Sequence, residues 1–123
     1  DFILKATKNG HGSEIFIPKV KAYSLQQIVD ILSNLTKTKE HTIIGMRPGE
    51  KQHESLINSD EMRYAWSYEN MFMLLNELHD DKNLEKTYPG IKKVKDIDVY
   101  SSDKTQLLTT DEITENIKDL QLL

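Results

Sequence analysis

A capped amphipathic helix lies between two short apolar segments in the first half of the chain. Ser24 and Gln27 form a capping box, in which each side chain can bond a backbone amide of the helix start. The apolar residues that follow recur at helical spacing: Leu25, Ile28, Val29, Ile31, Leu32 and Leu35. Residues 14–18 before the helix and 42–46 after it are rich in β-branched residues, which predicts strands, and the first of these strands is expected to be nearly buried. This order of strand, helix and strand predicts an α/β fold.

The second half of the chain carries weaker signals. Residues 58–61 resemble a helix start that leads into Met62, Ala65 and Trp66. The crowded apolar residues 71–75 predict a strand that is buried in a core or in a subunit interface. The polar, lysine-rich residues 79–96 contain Pro89-Gly90 and predict an exposed, mobile loop. Residues 99–103 predict an extended segment, and a second capping box at Thr109 and Glu112 predicts a final helix.

Composition excludes several functions. The 123 residues carry a net charge of −4, so a broad basic face for nucleic acid is not expected. The longest apolar run is shorter than the 18 residues typical of a membrane span. No cysteine is present, which fits a reducing compartment and favours the cytoplasm. The four histidines show no metal-ligand spacing, so no metal site is predicted.

The first residues resemble the end of a helix, followed by Gly10 just past its C-terminus. Because the chain opens there, without a methionine, we expect it to be a portion of a longer protein. Apolar residues make up 37% of the chain, which suggests that part of its surface is covered by another segment or subunit.

A charged turn at residues 47–51 is the clearest candidate for binding chemistry. Arg47 offers a planar pair of donors that matches phosphate oxygens, and Lys51 adds a point charge. Glu50 can accept hydrogen bonds from ribose hydroxyls. A charged turn around Pro48 and Gly49 can equally be a solvated surface turn.

Two further residues are candidates for substrate binding. Lys19 follows a strand exit, where α/β folds often gather ligand contacts, although an edge lysine fits the same position. His53 lies near the charged turn and could help to hold a phosphate, although a solvated or capping histidine is the alternative. No dinucleotide-binding glycine loop and no nucleophile elbow occur, so no catalytic residue is predicted.

Together these segments resemble one enzyme family. Residues 14–19 read EIFIPK, residues 44–54 read IGMRPGEKQHE, and the tail contains YSSD at 100–103 and LTTDEI at 108–113. This order is similar to that of the UDP-N-acetylglucosamine 4,6-dehydratases of polysaccharide and capsule biosynthesis, and the tail resembles that of the inverting branch. Gln52 departs from the pattern, since an apolar residue is common there.

The resemblance implies the C-terminal, substrate-binding lobe of an extended short-chain dehydrogenase without its Rossmann half. Residues 1–60 would be the lobe segment, and residues 61–123 an appended unit that makes oligomer contacts. By resemblance, NADP and the catalytic residues belong to the absent half, and this portion alone is expected to be inactive.

The substrate expected from the resemblance is a UDP-sugar, held by Arg47, Glu50, Lys51, Lys19 and His53. The parent would be cytoplasmic and would assemble as a homo-oligomer. It would catalyse the removal of water from the sugar, and enzymes of the inverting branch also epimerise C5. Two alternatives stay open: the same lobe of a UDP-hexose 4-epimerase, and a non-catalytic oligomerisation or interaction module.

Overall fold

The computed structural model describes residues 1–38, 40–76 and 81–120, with the backbone alone at residues 81 and 82. The chain has a mixed α/β structure and forms two compact units. The first unit comprises Asp1–Val20 and Ser55–Ser101, and the second comprises Lys21–Glu54 and Ser102–Leu123. Each unit therefore draws residues from both sides of position 60, where the sequence predicted a boundary.

The first unit holds the strands and the shorter helices. Its helices are α1 (Phe2–Asn9), α3 (Ser59–Met62) and α4 (Asp81–Thr87). Its strands are β1 (Ile15–Pro18), β2 (Ser55–Ile57), β3 (Ala65–Tyr68), β4 (Met71–Leu74), β5 (Lys92–Lys93) and β6 (Tyr100–Ser101). Four strands form an antiparallel sheet in the order β1-β4-β3-β5, while β2 and β6 pair separately.

Strand β4 explains the crowded apolar residues, because it pairs with β1 on one side and β3 on the other. Met71 and Met73 belong to one buried cluster with Tyr88, whereas Phe72 belongs to a second with Ile57. Successive side chains of a strand point to opposite faces, so both faces of β4 are covered. The predicted strand is confirmed, and these residues lie in the core rather than in an exposed apolar patch.

Three predictions for the first unit need correction. The helix that starts after Asn58 ends at Met62, and Ala65 and Trp66 lie in β3, where sheet pairing outweighs local helix preference. Strand β1 is confirmed, but of its four residues only Ile17 is buried. The predicted loop at 79–96 contains helix α4, and three of its apolar residues are buried: Leu84, Tyr88 and Ile91. Residues 79 and 80 lie outside the described residues.

The second unit contains the two long capped helices, α2 (Leu25–Thr36) and α5 (Thr110–Asp119). Both predicted capping boxes are present. The two helices contact each other, and each buries one isoleucine, Ile31 in α2 and Ile113 in α5. No helix among the described residues is both long and apolar enough to cross a membrane.

The strand predicted at residues 42–46 is absent from the second unit. This segment has no regular structure, and Ile43 is 84% exposed. A β-branched run becomes a strand only where another strand accepts its backbone hydrogen bonds, and none pairs with it among the described residues. The prediction was wrong because local preference alone does not supply a partner.

Candidate functional site

The charged turn closes on itself through two hydrogen bonds. The Glu50 N–H donates to the Arg47 carbonyl at 3.0 Å, and the Arg47 N–H donates to the Glu50 Oε2 at 2.7 Å. Gly49 has φ +88°, and Pro48 precedes it, as expected for a type II turn. Backbone restriction and these paired bonds therefore define the conformation of the segment.

The same geometry leaves the functional groups of the turn open to solvent. Arg47, Glu50 and Lys51 are exposed. Among the described residues, no hydrogen bond or ion pair engages the Arg47 guanidinium. The Arg47 backbone holds the turn, so its side chain is available for an external anion. Glu50 uses one carboxylate oxygen inside the turn.

A cavity of about 690 Å³ adjoins the turn within the second unit. It is lined by Leu25, Met46, Gly49, Glu50, Lys51, Gln52 and Glu54. This volume is in the range of pockets that take a small organic ligand. Leu25 and Met46 supply apolar surface, while two carboxylates, one ammonium and one amide supply polar groups. Two carboxylates against one ammonium favour a hydroxyl-bearing neutral group over a phosphate inside the cavity.

His53 lies close to the end of this loop but is not among the residues that line the cavity. Its Nδ1 is 3.4 Å from the Ser102 hydroxyl, a long hydrogen bond. The ring is exposed, so it remains accessible to a ligand. The structure thus brings four predicted residues into one loop, with Arg47 and Glu50 directly bonded.

Lys19 belongs to the first unit and is engaged there. Its Nζ donates to the Ser67 hydroxyl at 2.6 Å and lies 4.8 Å from the centroid of the Phe72 ring. Partial burial lowers the pKa of Lys19 because it disfavours the charged form. These contacts fit an edge lysine that packs on its sheet, and a role of Lys19 in substrate binding stays a prediction.

A polar cluster in the first unit was not found by sequence reasoning. The buried Tyr88 hydroxyl donates to Glu14 Oε1, and the backbone N–H groups of His11 and Gly12 donate to Glu14 Oε2 at 3.0 and 2.8 Å. Partial burial alone would raise the pKa of Glu14, but the hydrogen bonds from Tyr88 and the backbone outweigh it and lower the pKa to about 2. Because Glu14 and Tyr88 are 74 residues apart, no local pattern signals the pair.

A Tyr-x-x-x-Lys spacing, the arrangement of the catalytic pair in short-chain dehydrogenases, was also overlooked. It occurs twice, at Tyr88 with Lys92 and at Tyr100 with Lys104. Both tyrosines are buried, and both hydroxyls are engaged within the first unit. Tyr88 donates to Glu14, and burial followed by that bond raises the pKa of Tyr88. The Tyr100 hydroxyl accepts from the Val20 N–H at 2.6 Å and donates to the Val20 carbonyl at 2.8 Å.

The first unit has a cavity of its own, of about 400 Å³, lined by Ser13, Ile15, Glu61, Tyr64, Leu74, Leu75 and Asn76. Its lining, taken over the part of the chain that the structure describes, contains no lysine, arginine or histidine to receive an anion. Within the described residues, no three His, Asp or Glu side chains are grouped so that they could hold a metal ion. The cavity of the second unit, with its charged turn, is therefore the candidate functional site.

Comparison with known proteins decides the family. The model of a family described as polysaccharide biosynthesis proteins matches residues 1–76. The chain belongs to this polysaccharide biosynthesis family. The matched residues include the whole charged turn and every residue that lines the candidate cavity.

Two relatives of this chain are enzymes whose names include a UDP-sugar. An inverting UDP-N-acetylglucosamine 4,6-dehydratase of Campylobacter jejuni is 36% identical over 86% of this chain and 32% of its own length. A UDP-glucose 4-epimerase of Rickettsia bellii is 30% identical over 98% of this chain and 36% of its own length. The predicted resemblance to the dehydratases is confirmed. The chain spans about a third of the length of these curated relatives.

A solved structure is similar to this chain in its fold as well as in its sequence. The X-ray structure of Pen from Bacillus thuringiensis superposes with a TM-score of 0.78 at 28% sequence identity. The match covers 98% of this chain and 35% of the Pen chain. Almost the whole of this chain therefore has a fold that is found in a solved protein.

Proposed function

We propose that this chain is the nucleotide-sugar-binding portion of a UDP-N-acetylglucosamine 4,6-dehydratase, within the substrate-binding lobe of an extended short-chain dehydrogenase. The observation that carries the proposal is the preformed turn of Arg47 and Glu50, whose guanidinium is exposed beside a cavity of about 690 Å³. Such a site can bind a ligand that joins an anionic group to a neutral, hydroxyl-bearing group, as UDP-sugars do.

The charges of the site suggest which side chain binds each part of the UDP-sugar. Arg47 would bind the diphosphate, because its planar donors match phosphate oxygens and no described residue competes for them. Glu50 Oε1 would accept from ribose hydroxyls, while Oε2 stays bonded to the turn. Lys51 would add a positive charge, and His53 a further donor. Binding of this kind positions the sugar, which lowers the barrier of the reaction entropically.

The chemistry itself would belong to residues outside this chain. The sequence has no dinucleotide-binding glycine loop, and both Tyr-x-x-x-Lys tyrosines are engaged within the core. We assign NADP binding and the catalytic groups to the remaining two thirds of a protein the length of its relatives. This proposal keeps the substrate-binding function in residues 1–60 and oligomer contacts in residues 61–123, although the buried state of residues 71–75 removes one reason for the oligomer assignment.

A UDP-glucose 4-epimerase is the second candidate, since relatives of that name span nearly the whole chain. The two reactions differ in their products. A dehydratase gives a product that is one water lighter than its substrate, whereas an epimerase gives a product of equal mass. Product analysis of the full-length parent protein separates the two candidates, because in this proposal the type of reaction is set by residues outside this chain.

A hybrid enzyme tests the proposal. In it, this chain replaces the matching segment of the Campylobacter jejuni dehydratase, and UDP-N-acetylglucosamine and UDP-glucose are each supplied with NADP. We expect loss of water from UDP-N-acetylglucosamine, detected by mass spectrometry. A folded hybrid that binds NADP but converts neither sugar would contradict the proposal and favour a non-catalytic interaction module. Light scattering on the same hybrid tests the proposed homo-oligomer, and the cytoplasmic location stays a prediction.

A further inference from the structure

The segment after strand β6 reaches both rims of the candidate cavity within the second unit. We call residues 102–108 the tail segment. Its start is bonded to Glu54 at one rim, and its end is bonded to the beginning of α2, where Leu25 forms another part of the lining. The family resemblance predicted neither of these two attachments, because it placed the tail segment in an appended unit.

Ser102 holds the first rim through both its backbone and its side chain. The Ser102 N–H donates to the Glu54 carbonyl at 2.9 Å, and the Ser102 hydroxyl accepts from the Glu54 N–H at 3.1 Å. Both backbone groups of Glu54 are therefore bonded to one residue. The same hydroxyl lies 3.4 Å from His53 Nδ1, so Ser102 also restrains the imidazole.

The other rim is held by the end of the tail segment. The Ala22 N–H donates to the Gln106 carbonyl at 3.0 Å, and the Leu108 N–H donates to the Ala22 carbonyl at 2.7 Å. The Gln27 side-chain amide adds a bond to the Leu108 carbonyl at 3.2 Å. Leu25 lies between Ala22 and Gln27 in the chain, so these bonds restrain the backbone on both sides of it.

Residues 46–54 depend on such bonds because they form no helix or strand of their own. The turn of Arg47 and Glu50 is local and defines only four residues. The remainder of the loop, from Lys51 to Glu54, is exposed and has few packing contacts that could fix it. A side chain that bonds the loop at Glu54 therefore restrains its conformation.

We propose that Ser102 is a positioning residue for the nucleotide-binding loop, and that it acts through Glu54 and His53 without touching the ligand. The expected consequence, tighter binding of the UDP-sugar, rests on the proposed function. The proposal assigns to the tail segment a part in substrate binding, separate from any oligomer contact.

The anchoring is measured first, without ligand, on the isotope-labelled 123-residue chain by NMR. Ser102→Ala should accelerate hydrogen exchange of the Glu54 amide by about two- to tenfold, because that N–H loses its acceptor. The side-chain nitrogen signal of His53 should shift in the same variant. Ser102→Thr keeps the hydroxyl and should behave as wild type, whereas Ser102→Val has nearly the same shape without it and should behave as Ser102→Ala. Ser59→Ala, in the first unit, is the matched control.

The consequence for binding is measured in the hybrid enzyme described above. Ser102→Ala and Ser102→Val should raise KM for UDP-N-acetylglucosamine by about three- to tenfold, with kcat changed by less than about twofold, since the hydroxyl bond that holds the loop is lost. Ser102→Thr and Ser59→Ala should leave both constants unchanged.

Each outcome decides between the two proposals. Unchanged Glu54 exchange in folded Ser102→Ala overturns the anchoring. Faster exchange with an unchanged KM makes Ser102 a structural residue and overturns its positioning role, while the proposed function stands. A hybrid that never turns over defeats the proposed function and the positioning role together, and the exchange data then report on the loop alone. If Ser102→Ala does not fold, the comparison of Ser102→Thr with Ser102→Val replaces it.

Discussion

Replacement of Arg47 by alanine removes a side chain without disturbing the turn that carries it. Both bonds of the turn use the backbone N–H and carbonyl of Arg47, and alanine keeps both groups. The guanidinium makes no bond to the described residues, so its loss should change the free energy of unfolding by less than about 0.5 kcal/mol. A change in substrate binding then reports on the ligand contact and not on the fold.

The magnitude follows from the kind of contact that is lost. A hydrogen bond to a charged group contributes about 1.5–3 kcal/mol, which corresponds to about a ten- to hundredfold change in affinity. Because Arg47 is exposed, water screens the interaction, and we expect a value near the lower limit. Arg47→Lys should restore part of the loss, since an ammonium keeps the charge but not the paired donors.

The assay is the kinetics of the hybrid enzyme with UDP-N-acetylglucosamine. Arg47→Ala should raise KM for the UDP-sugar while NADP binding stays as in wild type. Lys118→Ala removes one positive charge from an exposed position of α5 in the same unit and serves as the control for net charge. An unchanged KM in folded Arg47→Ala would mean that the turn is structural and that the site assignment is wrong.

Three further outcomes are expected. Glu14→Gln should lower the free energy of unfolding by about 1–2 kcal/mol at neutral pH, since a charged acceptor of three hydrogen bonds is lost from a partly solvated site. The folded-state pKa of about 2 lies below the usual 4.5, so this deficit should be complete above pH 4.5 and should vanish as the pH falls towards 2, which urea titrations at several pH values would show. Ile57→Ala should cost about 2–5 kcal/mol because Ile57 is fully buried, while Leu56→Ala on the same strand, 48% exposed, should cost far less in the same thermal melts. The 123-residue chain alone, supplied with NADP, should not convert UDP-N-acetylglucosamine, and any product would show that catalytic groups had been missed.

Local sequence was sufficient where neighbouring residues supply every partner. The capping boxes at Ser24 and Thr109 are each closed within four residues, and both were predicted correctly. The charged turn is of the same kind, because proline, glycine and the bond between Arg47 and Glu50 define it without help from distant residues. Four of the five predicted binding residues therefore lie in one loop, as their spacing in the sequence requires.

Tertiary structure decided what depends on distant partners. Residues 42–46 have the composition of a strand but no neighbouring strand to bond, whereas Ala65 and Trp66 follow a helix start and yet join a sheet because β4 accepts their backbone groups. The bonds of Ser102 to Glu54 span 48 residues, and that of Tyr88 to Glu14 spans 74. The sequence alone determined the capped helices and the charged turn, since their hydrogen bonds are local. Only the folded chain determined the sheet, the cavity walls and the role of the tail segment, because each requires groups that are far apart in sequence to meet.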